Sequence, residues 1–294
     1  MKILVAGSKG QLGQELERQG KKSGFEMLAV DLPQLDITDR IQVETITKTF
    51  QPSLIINASA YTNVDKAEKE HDLAFAVNRD GPANLADVCA KADKPFFHIS
   101  TDYVFDGNKG SLYFETDPVS PLGVYGSSKE QGETAVRSCV KAHIIVRTSW
   151  LYSEYGHNFV KTMLRLGKEK KVLRVVADQY GSPTCAAELA EAILTIAGRI
   201  KNGLPMHWGT YHYCGLGITT WHKFAETIFE LAKPYGQMEI TRVEPVSTAG
   251  YPTPAKRPVF SALDCSLIKK HYGITPKPWQ DGLKRTIDHI FSGA

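Results

Sequence analysis

Lys2-Ile3-Leu4-Val5-Ala6-Gly7-Ser8-Lys9-Gly10-Gln11-Leu12-Gly13 is the stretch whose reading decides the fold class of this chain. A short apolar run leads into Gly7, Gly10 and Gly13, and Gln11–Gln19 then follows with the apolar spacing of a helix. Glycines at a strand-to-helix junction permit a tight turn and bring backbone N–H groups close to a pyrophosphate, which the helix N-terminus also attracts. The segment therefore reads as a dinucleotide-binding turn. Its Gly-x-x-Gly-x-x-Gly spacing differs from the tighter Gly-x-Gly-x-x-Gly and already leans towards one branch of such folds.

Working outward, β-rich runs at Lys2–Ala6, Glu26–Asp31, Leu54–Asn57, Phe96–Ser100 and Ala142–Arg147 alternate with helical segments. Those segments are Gln11–Gln19, Arg40–Phe50, Leu73–Ala92, with a boundary or kink expected near Pro82, and Ser127–Val140. The alternation predicts an α/β fold, a Rossmann-type doubly wound parallel sheet covered on both faces. Beyond Arg147 the pattern loosens. His157–Gly167, Glu188–Ala197 and Trp221–Ala232 read as helices, Val172–Thr184 as strand-like, and Tyr211–Cys214 as a further strand of the main sheet. The tail, punctuated by Pro245, Pro252, Pro254, Pro258, Pro276 and Pro278, reads as loops over a site, without a separate sheet. The expected organisation is a dinucleotide-binding core of residues 1–150 and about 185–214, with a smaller interleaved lobe of 151–184 and 215–294.

A net charge of +3 with no block of like charges argues against nucleic acid or an anionic membrane as partner. No apolar run is long enough for a signal peptide or a membrane span, so a soluble cytoplasmic protein is expected. Five scattered cysteines without a Cys-x-x-Cys pair read as free thiols rather than a metal or redox site.

The chemistry is carried by Tyr125-Gly126-Ser127-Ser128-Lys129. On a helix, Tyr125 and Lys129 share a face, about 5–6 Å apart at Cβ. A phenol titrates near 10, and bringing it near 7 takes about 4 kcal/mol. One ammonium about 4 Å away, at an effective dielectric near 20, supplies energy of that order. A hydroxyl from Ser100-Thr101 at a strand end would complete a proton donor for carbonyl reduction. Asp31 closes the second strand, where an acid accepts hydrogen bonds from an adenosine ribose and disfavours a 2′-phosphate. Taken alone it favours NADH, while Lys9 offers a charge for a phosphate, and these residues leave the choice open.

Together these residues resemble the extended short-chain dehydrogenase/reductases, and within them the reductases of dTDP-4-dehydrorhamnose. The likeness spans nearly the whole chain and continues through Asn57–Asp65, Ser100–Gly107, Val146–Tyr152, Asp178–Thr184, Arg257-Pro258 and Ser261–Asp264. The resemblance implies reduction of a sugar C4 ketone on a nucleotide-sugar substrate, with Tyr125 as proton donor. Lys129 would lower the phenol pKa and hold the nicotinamide ribose, and Thr101 would bind the substrate oxygen. It further implies Gly7, Gly10, Gln11, Leu12 and Gly13 along the pyrophosphate, Asp31, Asp36 and Ile37 around the adenosine, and Ala58, Ser59, Ala60 and Ser100 lining the cofactor. Asp102 and Trp150 are candidates for the sugar side, Trp150 being equally readable as a core aromatic. Arg257 reads either as a partner of the substrate diphosphate or as half of an ion pair. The resemblance brings NADP(H) as donor, possibly NAD(H), and a monomer or homodimer. Glu15 and Glu188 are acids that could bridge a dimer through a metal, but no metal is assigned. Two alternatives stay open, another nucleotide-sugar epimerase or dehydratase of the superfamily and a non-catalytic subunit like that of methionine adenosyltransferase. The Tyr103 that follows Asp102 speaks against a 4,6-dehydratase, which would carry an acid pair there.

Overall fold

The computed structural model of the chain describes residues 1–236 and 238–293. In chain order its elements are β1 (Lys2–Ala6), α1 (Gln11–Lys22), β2 (Glu26–Val30), α2 (Arg40–Phe50), β3 (Leu54–Asn57), α3 (Val64–Ala67), α4 (His71–Phe75) and α5 (Gly81–Lys91). Then come β4 (Phe96–Thr101), α6 (Val124–Cys139), β5 (His143–Thr148), β6 (Leu151–Tyr152), α7 (Phe159–Glu169), β7 (Val172–Val176), β8 (Tyr180–Gly181) and β9 (Thr184–Cys185). The remainder is α8 (Ala186–Lys201), β10 (Gly209–His212), β11 (Thr219–Thr220), α9 (Trp221–Ala232), β12 (Arg242–Val246), α10 (Ser266–Tyr272) and α11 (Trp279–Ser292).

Among the described residues the main sheet is six-stranded and parallel, in the order β10-β5-β4-β3-β1-β2. The order reverses between β1 and β3, which is the switch point where an open parallel sheet of this kind binds its ligand. Its central strands are mainly apolar because helices cover both faces, with buried polar residues gathered towards their carboxyl ends. One core cluster joins Val5, Ile56 and Phe97 to α1 and α8, and a second joins Leu4, Ile55 and Phe96 to α2, α5 and α6. A third cluster sits apart from the sheet and gathers Tyr152, Val160, Leu173, Phe224, Trp279 and Leu283. Ile268 and Tyr272 of α10 pack in the first cluster, so this stretch, assigned from sequence to the lobe, lies against the sheet.

The helix read at Leu73–Ala92 is interrupted. A π-helical turn over Ala76–Asp80 separates α4 from α5, and Pro82 lies in the first turn of α5. The wide turn carries the fully buried Asn78, whose amide bonds both backbone groups of Tyr61 (2.8 and 3.0 Å) and the Ser128 hydroxyl (3.0 Å). Helix α6 starts at Val124, ahead of the expected Ser127, because the Glu68 carboxylate accepts the Val124 N–H at 2.8 Å. The strand-like segment Val172–Thr184 splits into β7, β8 and β9. In the tail β12, which contains Pro245, pairs in parallel with β7 in a small separate sheet, where loops alone were expected. Proline is tolerated there because a two-stranded sheet consists only of edges. Among the described residues all five cysteines are free, although Cys214 and Cys265 bring their sulfurs within 3.7 Å. None of the described helices is long and apolar enough to cross a membrane.

The α6 face that meets the sheet carries Tyr125, Lys129 and Glu133 at successive turns. Glu133 is fully buried and receives Arg147 of β5 in a two-pronged pair, Nε to Oε1 at 2.9 Å and Nη2 to Oε2 at 2.7 Å. Arg137 adds a bond at 2.8 Å. Burial opposes the charge on Glu133, yet these guanidinium bonds hold its carboxyl below the usual range. Glu133→Ala leaves Arg147 buried and unpaired and is expected to cost about 3–5 kcal/mol in urea unfolding. The double variant Glu133→Leu/Arg147→Met should recover most of that loss; equal destabilisation of the single and double variants would contradict this account.

Candidate active site

At the carboxyl ends of the strands lies a cleft of ≈ 890 Å³. It is bounded by the Gly7–Leu12 turn, the loops after β2, β3 and β4, the face of α6, and the segments at Trp150, Asn158 and Trp221. The turn has the build of an anion site. Gly10 caps α1 without a side-chain hydrogen bond and the first turn holds no acidic residue, so its leading N–H groups stay open. Gly7 has φ +90°, and a Cβ at Gly13 would lie 2.0 Å from the Gly7 carbonyl oxygen, so backbone fills the space a side chain would need. Gly13 supports the turn from behind and does not itself line the cleft.

Asp31 and Asp36 line the cleft but are partly committed to the protein. Asp31 accepts the N–H groups of Lys9 (3.0 Å) and Leu32 (2.8 Å), and Asp36 accepts the N–H and hydroxyl of Thr38. Asp31 therefore ties two loops together, which weakens the preference for NADH that its position alone suggested. Ile37 also faces the cleft, as do Ala58, Ser59 and Ala60 after β3, where Ser59 N bonds Asn57 Oδ1 at 3.0 Å.

The reacting groups gather at the end of β4. Register pairs Thr101 with Thr148 and Ser100 with Arg147, while Tyr125 and Lys129 face them from α6. Burial pushes the Tyr125 phenol up to about 12, and Thr101 draws it down only in part. The Tyr125–Lys129 spacing predicts an ammonium that brings the phenol near 7. Instead its Nζ donates to the Ile99 carbonyl at 2.6 Å, and burial lowers Lys129 itself from 10.5 to about 8, with Glu133 acting against that fall. The phenol is thus held protonated. Thr101 Oγ1 donates to Asp102 Oδ1 at 3.0 Å and caps the turn by accepting Tyr103 N. Burial raises the Asp102 carboxyl to about 6, and the neighbouring Ser261 and Thr101 hydroxyls counteract it only in part. Asp102 Oδ2, Ser100 Oγ and Thr148 Oγ1 are buried without hydrogen-bond partners, all in residues that line the cleft. Unsatisfied polar atoms converging on a cleft fit a polar ligand.

Two candidates carried two readings each. Arg257 does not line the cleft; its guanidinium grips Asp65 at 3.1 and 2.8 Å and also bonds Thr253 and Ala255. Trp150 lies in the cleft wall, stacked on Trp221. Glu15 is held by Arg18 and Gln19, Glu188 by Arg285, and the described residues contain no cluster of three or more potential metal ligands. Sequence reasoning missed Trp221, read only as a helix start, and Asn158, whose amide reaches Gln11 Oε1 at 2.9 Å across the cleft. It also missed Tyr103, packed edge-on against Tyr125. The available signal was that Tyr103 sits inside the Ser100–Gly107 motif.

A family model described as the RmlD substrate binding domain matches residues 1–292. The chain belongs to the RmlD substrate-binding-domain family. Relatives of this family include a dTDP-4-dehydrorhamnose reductase of Aggregatibacter actinomycetemcomitans, 44% identical over 96% of this chain and 97% of that protein. A dTDP-4-dehydrorhamnose reductase crystal structure from Clostridium acetobutylicum superposes with a TM-score of 0.91 at 40% identity, covering 98% of this chain and 99% of the other. That of Bacillus anthracis, in complex with NADP, gives 0.90 at 39% identity, with the same two shares covered.

The turn can be tested directly. Gly13→Ala drives a methyl into the Gly7 carbonyl and is expected to weaken NADPH binding ~10-fold or more in a fluorescence titration. Unchanged affinity in a folded variant would remove the turn from the site.

Proposed function

We propose that the chain reduces the C4 ketone of dTDP-4-dehydro-L-rhamnose with NADPH, giving dTDP-L-rhamnose, the last step in making this sugar nucleotide for cell-surface polysaccharide. The observation that carries this reading is the meeting of Tyr125, Thr101 and Asp102 in one cleft with the glycine turn of a dinucleotide site. Residues 1–150 and 185–214 then hold the cofactor, while 151–184 and 215–294 supply most of the sugar side. The reading places the reaction in the cytoplasm and admits NADH as a second donor.

NADPH, when bound, supplies the hydride. Tyr125 holds its proton firmly, so it stays an acid until negative charge develops on the ketone oxygen, which then takes that proton. The Thr101 oxygen stays anchored by Tyr103 N, and its one hydroxyl proton turns from Asp102 Oδ1 to the ketone oxygen, keeping that oxygen against the phenol. Lys129 places a positive charge beneath the site, stabilising the developing alkoxide and holding ribose hydroxyls. The free Oδ2 of Asp102 accepts a sugar hydroxyl. Tyr103 packs on Tyr125 where a 4,6-dehydratase would carry a second acid, which favours a reductase over that alternative.

The test is nicotinamide oxidation by the purified chain with NADPH or NADH and freshly made dTDP-4-dehydro-L-rhamnose. Consumption yielding dTDP-L-rhamnose is expected, and cofactor binding without turnover would overturn the reading. Tyr125→Phe should abolish reduction and leave NADPH affinity within about twofold, since the phenol's role is proton transfer.

The pH dependence follows from two groups. Asp102 is charged above about 6, and Lys129 loses its charge above about 8. The kcat/KM profile should therefore fall on the acid side near 6, as Asp102 gains a proton, and on the alkaline side near 8, as Lys129 gives one up. Lys129→Arg should remove the alkaline limb; its persistence would assign that limb to another group.

A further inference from the structure

Trp150 has φ +48°, a left-handed backbone conformation that strains a residue with so large a side chain. Two neighbours hold it there. On its face lies Trp221, with ring centroids 3.7 Å apart and planes at 11°. Against it also sits Gly181, where a Cβ would come within 2.6–2.8 Å of Trp150 Cε2, Cζ2 and Nε1, so only glycine fits. One piece of backbone sets both contacts. β8 and β11 pair antiparallel, with Thr219 opposite Gly181 and Thr220 opposite Tyr180, and the chain enters α9 at Trp221. Thr220 caps that helix through Lys223 N at 3.1 Å, and Phe159 packs on Trp221 with ring centroids 4.7 Å apart.

Both indoles line the cleft, and Trp150 stands two residues beyond Thr148, the register partner of Thr101. The pair thus forms an apolar wall on the side of the polar Thr101–Asp102 end, and the chain beyond it is tied to the glycine turn, where Gln11 Nε2 donates to the Leu151 carbonyl at 3.4 Å and Asn158 donates to Gln11 Oε1 at 2.9 Å. A deoxysugar ring has matching surfaces, with hydroxyls and ketone on its edge and C–H groups across its face.

We propose that Trp221 is a positioning residue that, with Gly181 opposite, fixes the Trp150 indole so that its edge meets the C–H groups of the sugar, and that the stacked pair sets affinity for the sugar and not for the dinucleotide. This inference rests on the reductase reading above. Trp221→Ala frees Trp150 to leave its strained conformation, and the KM for dTDP-4-dehydro-L-rhamnose is expected to rise about 3- to 10-fold. The KM for NADPH and kcat at saturating sugar should stay within about twofold, because the Trp221 ring contacts neither the glycine turn nor Tyr125, and the bonds of Gln11 to the Leu151 carbonyl and Asn158 do not involve it. Trp221→Phe keeps an aromatic face, guards against misfolding of the alanine variant, and should restore most of the affinity. The circular dichroism couplet of two stacked indoles should vanish in both variants while thermal unfolding remains cooperative. A wild-type sugar KM in folded Trp221→Ala, or a parallel rise in the NADPH KM, overturns the proposal. Failure of the wild-type chain to turn over strikes the reductase reading instead. Calorimetric binding of dTDP-L-rhamnose to the same variants then decides the inference: weaker binding to Trp221→Ala alone supports it, and equal or absent binding overturns it.

Discussion

The seam between α6 and the sheet rests on one buried ion pair. Glu133 and Arg147 are both almost wholly withdrawn from water, and only the two-pronged geometry with the added Arg137 bond offsets that desolvation. Directional pairing of this kind fixes helix rotation and height in a way that apolar packing alone does not. Because Tyr125, Lys129 and Glu133 recur every four residues, setting the angle of Glu133 sets the other two. Arg147 is in turn the register partner of Ser100, one residue short of Thr101. The strand end carrying the hydroxyl and the helix face carrying the phenol are thereby indexed to each other through a contact that touches neither.

What was legible in the sequence was local. The central strands announce themselves as short apolar runs with turn signals, and β1 and β3 fall on the predicted residues because sheet burial leaves no polar alternation to misread. The glycine turn and the Tyr-Lys spacing were equally visible, since each is fixed within one turn of chain. What was hidden depends on partners far along the chain. The start of α6 was set too late because its first N–H group is satisfied by Glu68, 56 positions away. Arg257 offered two readings because its partner Asp65 lies 192 positions away. Trp221 looked like an ordinary amphipathic-helix residue until the β8–β11 pairing delivered it to Trp150.

Electrostatics in the cleft differed from expectation for a related reason. The spacing argument placed an exposed-style ammonium beside a phenol and counted only their attraction. Burial acts on both groups, raising one and lowering the other, and the backbone carbonyl of Ile99 claims the ammonium first. The outcome is a firmly held proton and a weakly held charge. That arrangement keeps the donor's proton in place at neutral pH until the developing alkoxide, more basic than the phenolate, takes it.

The parallel pairing of β7 with β12 has a consequence in time. The two strands lie 70 residues apart, and their shared cluster is completed by Trp279, Leu283 and Ile287 of α11, further on again. The strands β1 to β5, with the glycine turn and the α6 face, lie within the first 148 residues. A chain emerging from the ribosome can therefore assemble most of the dinucleotide half while the opposite wall still lacks its closing elements. During that interval the glycine turn and the α6 face exist before the sugar wall, while the sheet face that α8 covers still stands open.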